Sequence, residues 1–281
     1  MTISVLLLTL NEESNLERCL DALRWSDDIV VLDSCSEDGT VDLARRLGAR
    51  VYERAFDGFA NQRNYALDHI EFRHEWILHL DADEVVTEGL QREMFRAIDS
   101  GRFDAYRIPS KMMFYGQWLR YSGMYPTYQV RLGRKGRFRF RQVGHGQRED
   151  IADDRVGTLS EPYLHHSFSK GLAEWFEKHN RYSSDEAQEV VGLLSTGRGA
   201  DLAGILSSDP TRRRRALKEV SAHLPFRPTL RFLYMYIFRF GFLDGRAGLA
   251  YCRLMALYEY MIVLKARELE QRSVRARGRR Q

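Results

Sequence analysis

Two short apolar runs, Ile3–Leu8 and Asp28–Leu32, are rich in β-branched residues and Leu, and each leads through a polar turn into apolar residues at helical spacing. This rhythm constrains the fold more than any other feature. Strands that are apolar on both sides must be covered on both faces, and the helices linking successive strands of a parallel sheet do the covering. After the first strand, Ser14–Leu23 sets Leu16, Leu20 and Leu23 on one helical stripe. After the second, an Asp38-Gly39-Thr40 turn opens Thr40–Leu47, with Val41, Ala44 and Leu47 as the stripe. A third strand, Glu75–Leu80, runs directly into Asp81-Ala82-Asp83-Glu84. The expected class is therefore α/β, with a single Rossmann-like nucleotide-binding domain and acids at the carboxyl end of a buried strand, where ligands of open α/β sheets sit.

The texture changes between Asp104 and Gly144. Short aromatic and basic segments (Tyr106–Ile108, Tyr128–Leu132, Phe138–Phe140) alternate with Gly turns, which predicts a mixed or antiparallel extension of the sheet and a surface for an acceptor. Beyond Gly171 the pattern is helical; Gly192–Ser208 reads as a loose connection, and Arg212–Arg215 follows as a basic run. Charge is divided unevenly along the chain. Residues 210–281 hold 17 of the 43 Lys and Arg but 5 of the 39 Asp and Glu, so a tail of +12 follows a body of −8. That asymmetry calls for a polyanionic partner, either nucleic acid or an anionic membrane face. Cys19, Cys35 and Cys252 are scattered and odd in number, which provides neither a disulfide framework nor metal-ligand spacing and fits a reducing, cytoplasmic compartment. Ile3–Leu8 has no basic segment before it and no small-residue cleavage site after it, so it reads as a strand and not as a signal peptide.

Asp81 and Asp83 at a strand end supply hard oxygen ligands of the kind Mg²⁺ or Mn²⁺ takes. An ion bridging them to a diphosphate would neutralise charge on a departing nucleoside diphosphate. An isolated Asp-X-Asp is also common in solvated turns. The other strand ends, Thr9–Glu13 and Asp33–Thr40, lie where a nucleotide would meet the sheet, yet no Gly-X-Gly-X-X-Gly follows the first strand, so phosphates must be held by other means. Asn11, Asp33 and Asp38 are equally residues of the kinds that build turns and caps.

Taken together, Thr9-Leu10-Asn11-Glu12-Glu13, Asp33-Ser34-Cys35-Ser36-Glu37-Asp38-Gly39-Thr40, Gln62-Arg63-Asn64-Tyr65-Ala66-Leu67 and Leu80-Asp81-Ala82-Asp83-Glu84 resemble, in order and spacing, glycosyltransferase family 2 of the GT-A type. Pro162–Phe168 and Lys178–Ser183 extend the likeness to the bacterial branch acting on lipopolysaccharide core or exopolysaccharide. The resemblance covers most of residues 1–265. It implies a GT-A catalytic domain over 1–190, a flexible basic connection over 191–215 and apolar helices with a basic tail over 216–281. It further implies that Thr9, Asn11 and Glu12 lie against base and ribose, that Asp33 reads the base, and that Asp81 and Asp83 face ribose, diphosphate and a divalent cation. Arg63 is then placed beside the pyrophosphate or sugar, or is an ordinary surface arginine of a helix.

The implied reaction is an inverting transfer from a nucleotide-diphosphate sugar, a UDP-sugar by expectation, to a saccharide or lipid-linked acceptor. Such a transfer needs a general base for the acceptor hydroxyl. Family relatives carry a His-Glu pair where this chain reads Val143-Gly144-His145-Gly146-Gln147-Arg148-Glu149-Asp150, which makes Glu149 the candidate base and Asp150 its alternative. The resemblance also implies His165, ahead of His166, as the candidate for a second metal ligand, since a neutral imidazole can ligate. In the tail, Leu230–Phe242 and Leu249–Leu264 are apolar but short and interrupted by charge, so they predict an interfacial helix pair with arginines on anionic head groups. The protein is then expected at the cytoplasmic face of the inner membrane as a peripheral or monotopic enzyme. Packing of the pair on the catalytic domain, or on a second subunit of a homo-oligomer, is the alternative. A nucleic-acid-binding module leaves the acidic strand ends unexplained, and nucleic acid is not an expected partner. A metal-dependent nucleotidyltransferase or phosphohydrolase would use the same acids, and a relative that has lost activity would not need Asp81 and Asp83 intact.

Overall fold

The computed structural model describes residues 2–143, 146–195, 220, 224 and 226–278. His145, the run Arg212–Arg215, nearly all of the expected connection over 191–215, and the terminal Arg279 and Arg280 lie outside these residues. The chain begins β1 (Ile3–Thr9), α1 (Glu13–Asp21), β2 (Ile29–Asp33), α2 (Thr40–Arg46), β3 (Arg50–Glu53), α3 (Phe59–His69), β4 (Trp76–Asp81), β5 (Glu84–Val85) and α4 (Glu88–Ser100). It continues with β6 (Ala105–Phe114), β7 (Gln117–Trp118), β8 (Thr127–Arg134), β9 (Arg139–Val143), β10 (Gly146–Asp150), β11 (Val156–Thr158) and β12 (Tyr163–His165). Helices α5 (Gly171–Ser195), α6 (Arg227–Leu233) and α7 (Gly245–Gly278) follow. A π turn at Tyr234–Phe238 and a 3₁₀ turn at Gly241–Asp244 separate α6 from α7.

The main sheet is ordered β3-β2-β1-β4-β8-β6-β12-β5. Strands β3, β2, β1 and β4 are mutually parallel, β8 runs antiparallel to both β4 and β6, and β12 is parallel to β6, so the sheet is mixed as expected. Alternation along each parallel strand feeds two cores. Val5, Leu7, Val31, Leu78 and Leu80 face Leu16, Cys19, Leu20 and Leu23 of the α1 region and Leu90, Met94 and Ile98 of α4. Leu6, Val30, Leu32 and Ile77 face Ala66 and Ile70 of the α3 region. This two-sided burial explains why β1 reads as an apolar run interrupted only by Ser4 up to Leu8. Helix α4 is bounded by its own sequence: Thr87 accepts the Leu90 N–H at 3.1 Å as an N-cap, and Gly101 closes the C-terminus at φ 61°.

Residues 1–118 and 124–169 make one compact unit, and 119–123 with 170–281 make another. The boundary expected at residue 190 falls inside α5, because Ala187 and Val190 of that helix are buried against Ile262 and Ala266 of α7. The single helix expected over Leu230–Phe242 is instead split into three turns of different pitch, broken at Phe240, whose φ is 59°.

Candidate functional site

Register places the sequence motifs side by side. Thr9 pairs with Asp33 across β1 and β2, Asp33 with Glu53 across β2 and β3, and Leu8 with Asp81 across β1 and β4. The carboxyl ends of these parallel strands therefore share one edge, the position of the ligand crevice in open α/β sheets.

On the β1–β2 side the two loops are stitched together. Asp33 is fully buried; its Oδ2 accepts from the Thr9 hydroxyl at 2.7 Å and the Ser36 hydroxyl at 2.6 Å, and its Oδ1 from the Ser36 N–H at 2.6 Å. Asn11 adopts φ 55°; its N–H donates to Ser36 Oγ and its Oδ1 accepts the Glu37 N–H, both at 2.8 Å. Asn tolerates this left-handed backbone better than most residues. The Glu12 N–H donates to Thr40 Oγ1 at 2.7 Å, and its carboxylate takes the Asn15 amide in the first turn of α1. Gly39 N–H meets Glu13 Oε2 at 3.1 Å, and a Cβ at that position would collide with the same carboxylate. Thr9, Asn11, Glu12 and Asp33 are thus assembled at one strand edge, with Asp33 holding the loop in shape from beneath.

On the β4 side lies a cluster of buried charge. Arg63 of α3 is 1% exposed and donates through Nη2 to Asp81 Oδ1 at 2.7 Å. Arg131 of β8 donates to Asp81 Oδ2 at 2.8 Å and to Glu84 Oε1, while Glu84 Oε2 accepts the Asp81 N–H at 3.0 Å. Burial opposes the charge on Asp81, but Arg131 and Arg63 outweigh it and hold the carboxyl well below the usual carboxylate range. Burial pushes Glu84 up to about 7, with Arg131 pulling it down and Asp81 adding to the rise. Arg63 Nε and Nη1 are buried without a protein acceptor. Its guanidinium lies 5.6 Å from the ring centroid of Phe140. A buried donor without an acceptor is costly, and a guanidinium directed at a strand end suits a planar phosphate or carboxylate oxygen pair. Arg63 is therefore no ordinary surface arginine.

Between Asp81 and Glu84 in sequence, Asp83 meets His165, with Nε2 and Oδ2 3.3 Å apart. Pairing of β12 with β5 sets His165 opposite Glu84, and the His166 N–H donates to the Asp83 carbonyl at 2.8 Å. Burial works against protonation of His165, but the Asp83 carboxylate outweighs it and raises the imidazole above its ordinary value. His166 moves the opposite way, through burial and the charge of Arg18. Among the described residues no group of three or more His, Cys, Asp or Glu side chains forms a metal cage. Two protein donors, one carboxylate and one imidazole, nevertheless fit an ion that draws its remaining ligands from diphosphate and water, the usual condition of Mg²⁺ beside phosphates.

Glu149 and Asp150 sit on β10, which pairs with β9 in a separate two-stranded ribbon. Glu149 lies opposite Phe140 and shares its face, the face that meets Arg63; Asp150 lies opposite Arg139, which ion-pairs with Asp68. The geometry thus separates the two acids and puts Glu149 on the side of the cluster.

Arg131 and Glu84 belong to the site although neither stands among the sequence-derived candidates. Glu84 was visible as the last acid of its motif. The sign for Arg131 is a charge flanked by Val130 and Leu132 in a strand, but its position depends on an irregularity. Pairing between β6 and β8 steps from Tyr106 with Leu132 to Arg107 with Val130, which leaves Arg131 as the extra residue of a β-bulge. Bulges re-aim side chains near active sites.

A GT-A sheet whose strand-end loops, buried guanidiniums and Asp83–His165 pair share one edge defines a glycosyltransferase. The chain belongs to glycosyl transferase family 2, whose sequence profile matches residues 4–153. Among curated relatives it is 28% identical over 202 residues to an uncharacterised glycosyltransferase of Rickettsia typhi, covering 67% of this chain and 68% of that one. It is 25% identical over 284 residues to the lipopolysaccharide core biosynthesis glycosyltransferase LpsC of Rhizobium meliloti, covering 95% of both. Among solved structures it is similar to S. aureus TarS 1–349, with a TM-score of 0.44 at 17% identity, covering 92% of this chain and 91% of that one.

Proposed function

We propose that the chain carries out an inverting, metal-dependent transfer of a sugar from a nucleotide-diphosphate donor, a UDP-sugar as first choice, to a saccharide hydroxyl of a lipid-linked, lipopolysaccharide or exopolysaccharide acceptor. The observation that carries this reading is the Asp83–His165 pair beside the Arg63–Asp81–Arg131 cluster. Base and ribose lie along Thr9, Asn11, Glu12 and Asp33. Asp83 and His165 would hold Mg²⁺ or Mn²⁺, which would supply charge neutralisation at the diphosphate. Arg63 offers its unpaired N–H groups to phosphate or sugar oxygens. The acceptor oxygen attacks the anomeric carbon as its proton passes to Glu149, with Asp150 as the alternative base, and the bonding pair of the anomeric C–O bond leaves with the nucleoside diphosphate. The nearly full-length likeness to LpsC supports an acceptor in the lipopolysaccharide class. The arginine-rich apolar C-terminal helices support peripheral attachment to the cytoplasmic face of the inner membrane.

The test is release of nucleoside diphosphate by purified protein across a panel of donors with Mn²⁺ or Mg²⁺. The expected result is metal-dependent release that Asp83→Ala lowers by roughly 10²-fold or more, the scale of losing a group that stabilises developing charge. Turnover undiminished in Asp83→Ala, or in chelator, sinks the metal assignment. Transfer of a nucleotidyl group, or bare hydrolysis with every acceptor, sinks the reaction class.

A further inference from the structure

We propose that residues 226–243, and not the long helix α7, are the part of this chain that enters a membrane, as an aromatic wedge seated in the headgroup region of an anionic bilayer. The proposal rests on the reading above that the C-terminal helices meet such a surface, and it names the element responsible.

Phe226 is 79% exposed, Phe238 73%, Leu243 57% and Phe240 54%, with Ile237 and Phe242 also open to solvent. Their neighbours tie the patch together: Phe232 stacks on Tyr236 at 5.2 Å, Tyr236 meets Phe242 at 6.2 Å and Phe242 meets Phe240 at 6.1 Å. Contiguous apolar surface of this kind on a soluble protein marks a contact site. Backbone conformation reinforces the point. Phe226 at φ 55° and Phe240 at φ 59° occupy the left-handed region, which is costly for a bulky residue and is retained where the surroundings demand it. Both turns keep a ring in solvent where glycine would have been easier.

The turns of the segment also close on their own backbone. Leu230 N–H reaches Phe226 O at 3.0 Å, Arg239 N–H reaches Tyr234 O at 2.8 Å, Phe240 N–H reaches Ile237 O at 3.0 Å and Leu243 N–H reaches Phe240 O at 2.9 Å. Backbone that enters an apolar phase has to do this. Charge selects the occupant. From 226 to 259 the chain carries Arg227, Arg231, Arg239, Arg246 and Arg253 against two acids that are both already engaged: Glu259 pairs with Arg227 at 2.5 Å, and the buried Asp244 accepts the N–H groups of Arg120, Tyr121 and Ser122, which leaves Arg231, Arg239, Arg246 and Arg253 for an anionic surface. An apolar aromatic patch ringed by arginine matches anionic head groups.

Residues Gly241–Arg272 are long and apolar enough to cross a bilayer, with a mean hydropathy of 1.3 in the best window. One face of α7 is already committed, however. Ile262 and Ala266 are buried against Ala187 and Val190 of α5, Tyr258 donates to Glu186 at 2.9 Å, and Lys265 Nζ donates to Asn180 Oδ1 at 2.7 Å and to Ser183 and Ser184 at 2.8 Å. A helix bonded along one face to a charged neighbour does not offer that face to lipid.

The experiment uses full-length protein in flotation with phosphatidylcholine vesicles with and without phosphatidylglycerol. Wild type floats with the anionic vesicles. Phe238→Ser/Phe240→Ser/Leu243→Ser loses at least tenfold of that binding, whereas Leu257→Ser/Leu264→Ser on the exposed side of α7 keeps it. Phe238→Trp blue-shifts on vesicle addition and is quenched by brominated lipid. Flotation of the triple variant equal to wild type, or an unshifted Trp emission, overturns the wedge. Wild type that stays unbound but forms a dimer dissolved by the triple variant also overturns it, making the patch a contact between copies. Nucleoside diphosphate release measured on the same samples separates these outcomes from a failure of the transferase reading, since none of the substituted residues belongs to the donor site.

Discussion

Arg131 bridges two acids with one guanidinium, and this geometry is why its replacement is informative. Lysine keeps the charge but is a compact point donor that cannot hold Asp81 and Glu84 in the same fixed fork. Arg131→Lys is expected to remain folded and to lose roughly 10²-fold in kcat/KM, about 3 kcal/mol of transition-state stabilisation, because Asp81 loses its fixed aim. Nucleoside diphosphate release beside a thermal melt checks this, and unchanged turnover refutes it. Arg131→Met leaves Glu84 without its arginine partner and Asp81 with Arg63 alone in the interior, which is expected to cost about 3–5 kcal/mol of stability. The contrast with Asp83 and His165 shows what a sequence discloses at this scale. Asp83 follows an apolar strand and announces itself by position, whereas His165 is a candidate through the family resemblance alone. Arg131 reaches the same site through an antiparallel pairing more than fifty residues away in sequence and a one-residue bulge, and neither leaves a periodic trace.

At the scale of elements, legibility follows burial. Strands β1, β2 and β4 lie within one residue of where the apolar runs predict them, because each is buried on both faces and is apolar but for Ser4 in β1, His79 in β4 and the residues at the strand ends. The turns around 226–244 were only partly legible: Pro228, Gly241 and Gly245 mark the stretch as interrupted, but the residues that take the left-handed backbone beside the first two are Phe226 and Phe240, whose type gives no sign of it. The sheet edge at the start of β2 is held by Asp28, whose buried carboxylate accepts from Ser4 Oγ at 2.5 Å, Arg73 N–H at 2.8 Å and Arg50 Nη2 at 2.7 Å. Burial opposes its ionisation, but the Ser4 hydroxyl, the Arg73 N–H and Arg50 prevail and lower its pKa. A depressed carboxyl pKa contributes stability above the unfolded value near 4, and that contribution disappears as pH falls through the folded value. Asp28→Asn is accordingly expected to lose about 3 kcal/mol at pH 7. The gap to wild type should begin to narrow as the pH drops below about 4 and close only below the depressed folded value, where wild type also carries a neutral side chain. Urea titrations at both pH values decide the matter; a gap independent of pH would mean that the charge contributes nothing.

The molecule as a whole has two compact units, but the chain does not divide between them at one point. Residues 119–123 leave the first unit between β7 and β8 and belong to the second. There Asp244 gathers them: its carboxylate accepts the N–H groups of Arg120 at 3.1 Å, Tyr121 at 3.1 Å and Ser122 at 2.7 Å and the Ser122 hydroxyl at 2.6 Å. Gly241 lies close by, and a Cβ there would stand 3.2 Å from Ser122 Cβ and 2.6 Å from the Met235 carbonyl oxygen. Three converging N–H donors require an acceptor with two charged oxygens, so Asp244→Asn, which replaces one oxygen by a donor, is expected to destabilise the protein by about 2–3 kcal/mol. Hydrogen exchange at Arg120, Tyr121 and Ser122 should rise in that variant while β1 and β4 stay protected. The same logic bears on truncation. A chain ending at Ser169 keeps the nucleotide-binding sheet but strands Leu119 and Ser122, both fully buried in the intact protein, with three N–H groups lacking their acceptor. It is expected to lose protection over 119–123 and to unfold at lower denaturant than the intact chain. If residues 1–169 instead match the full-length transition at every probe, the fold of the first unit does not depend on the segment it lends.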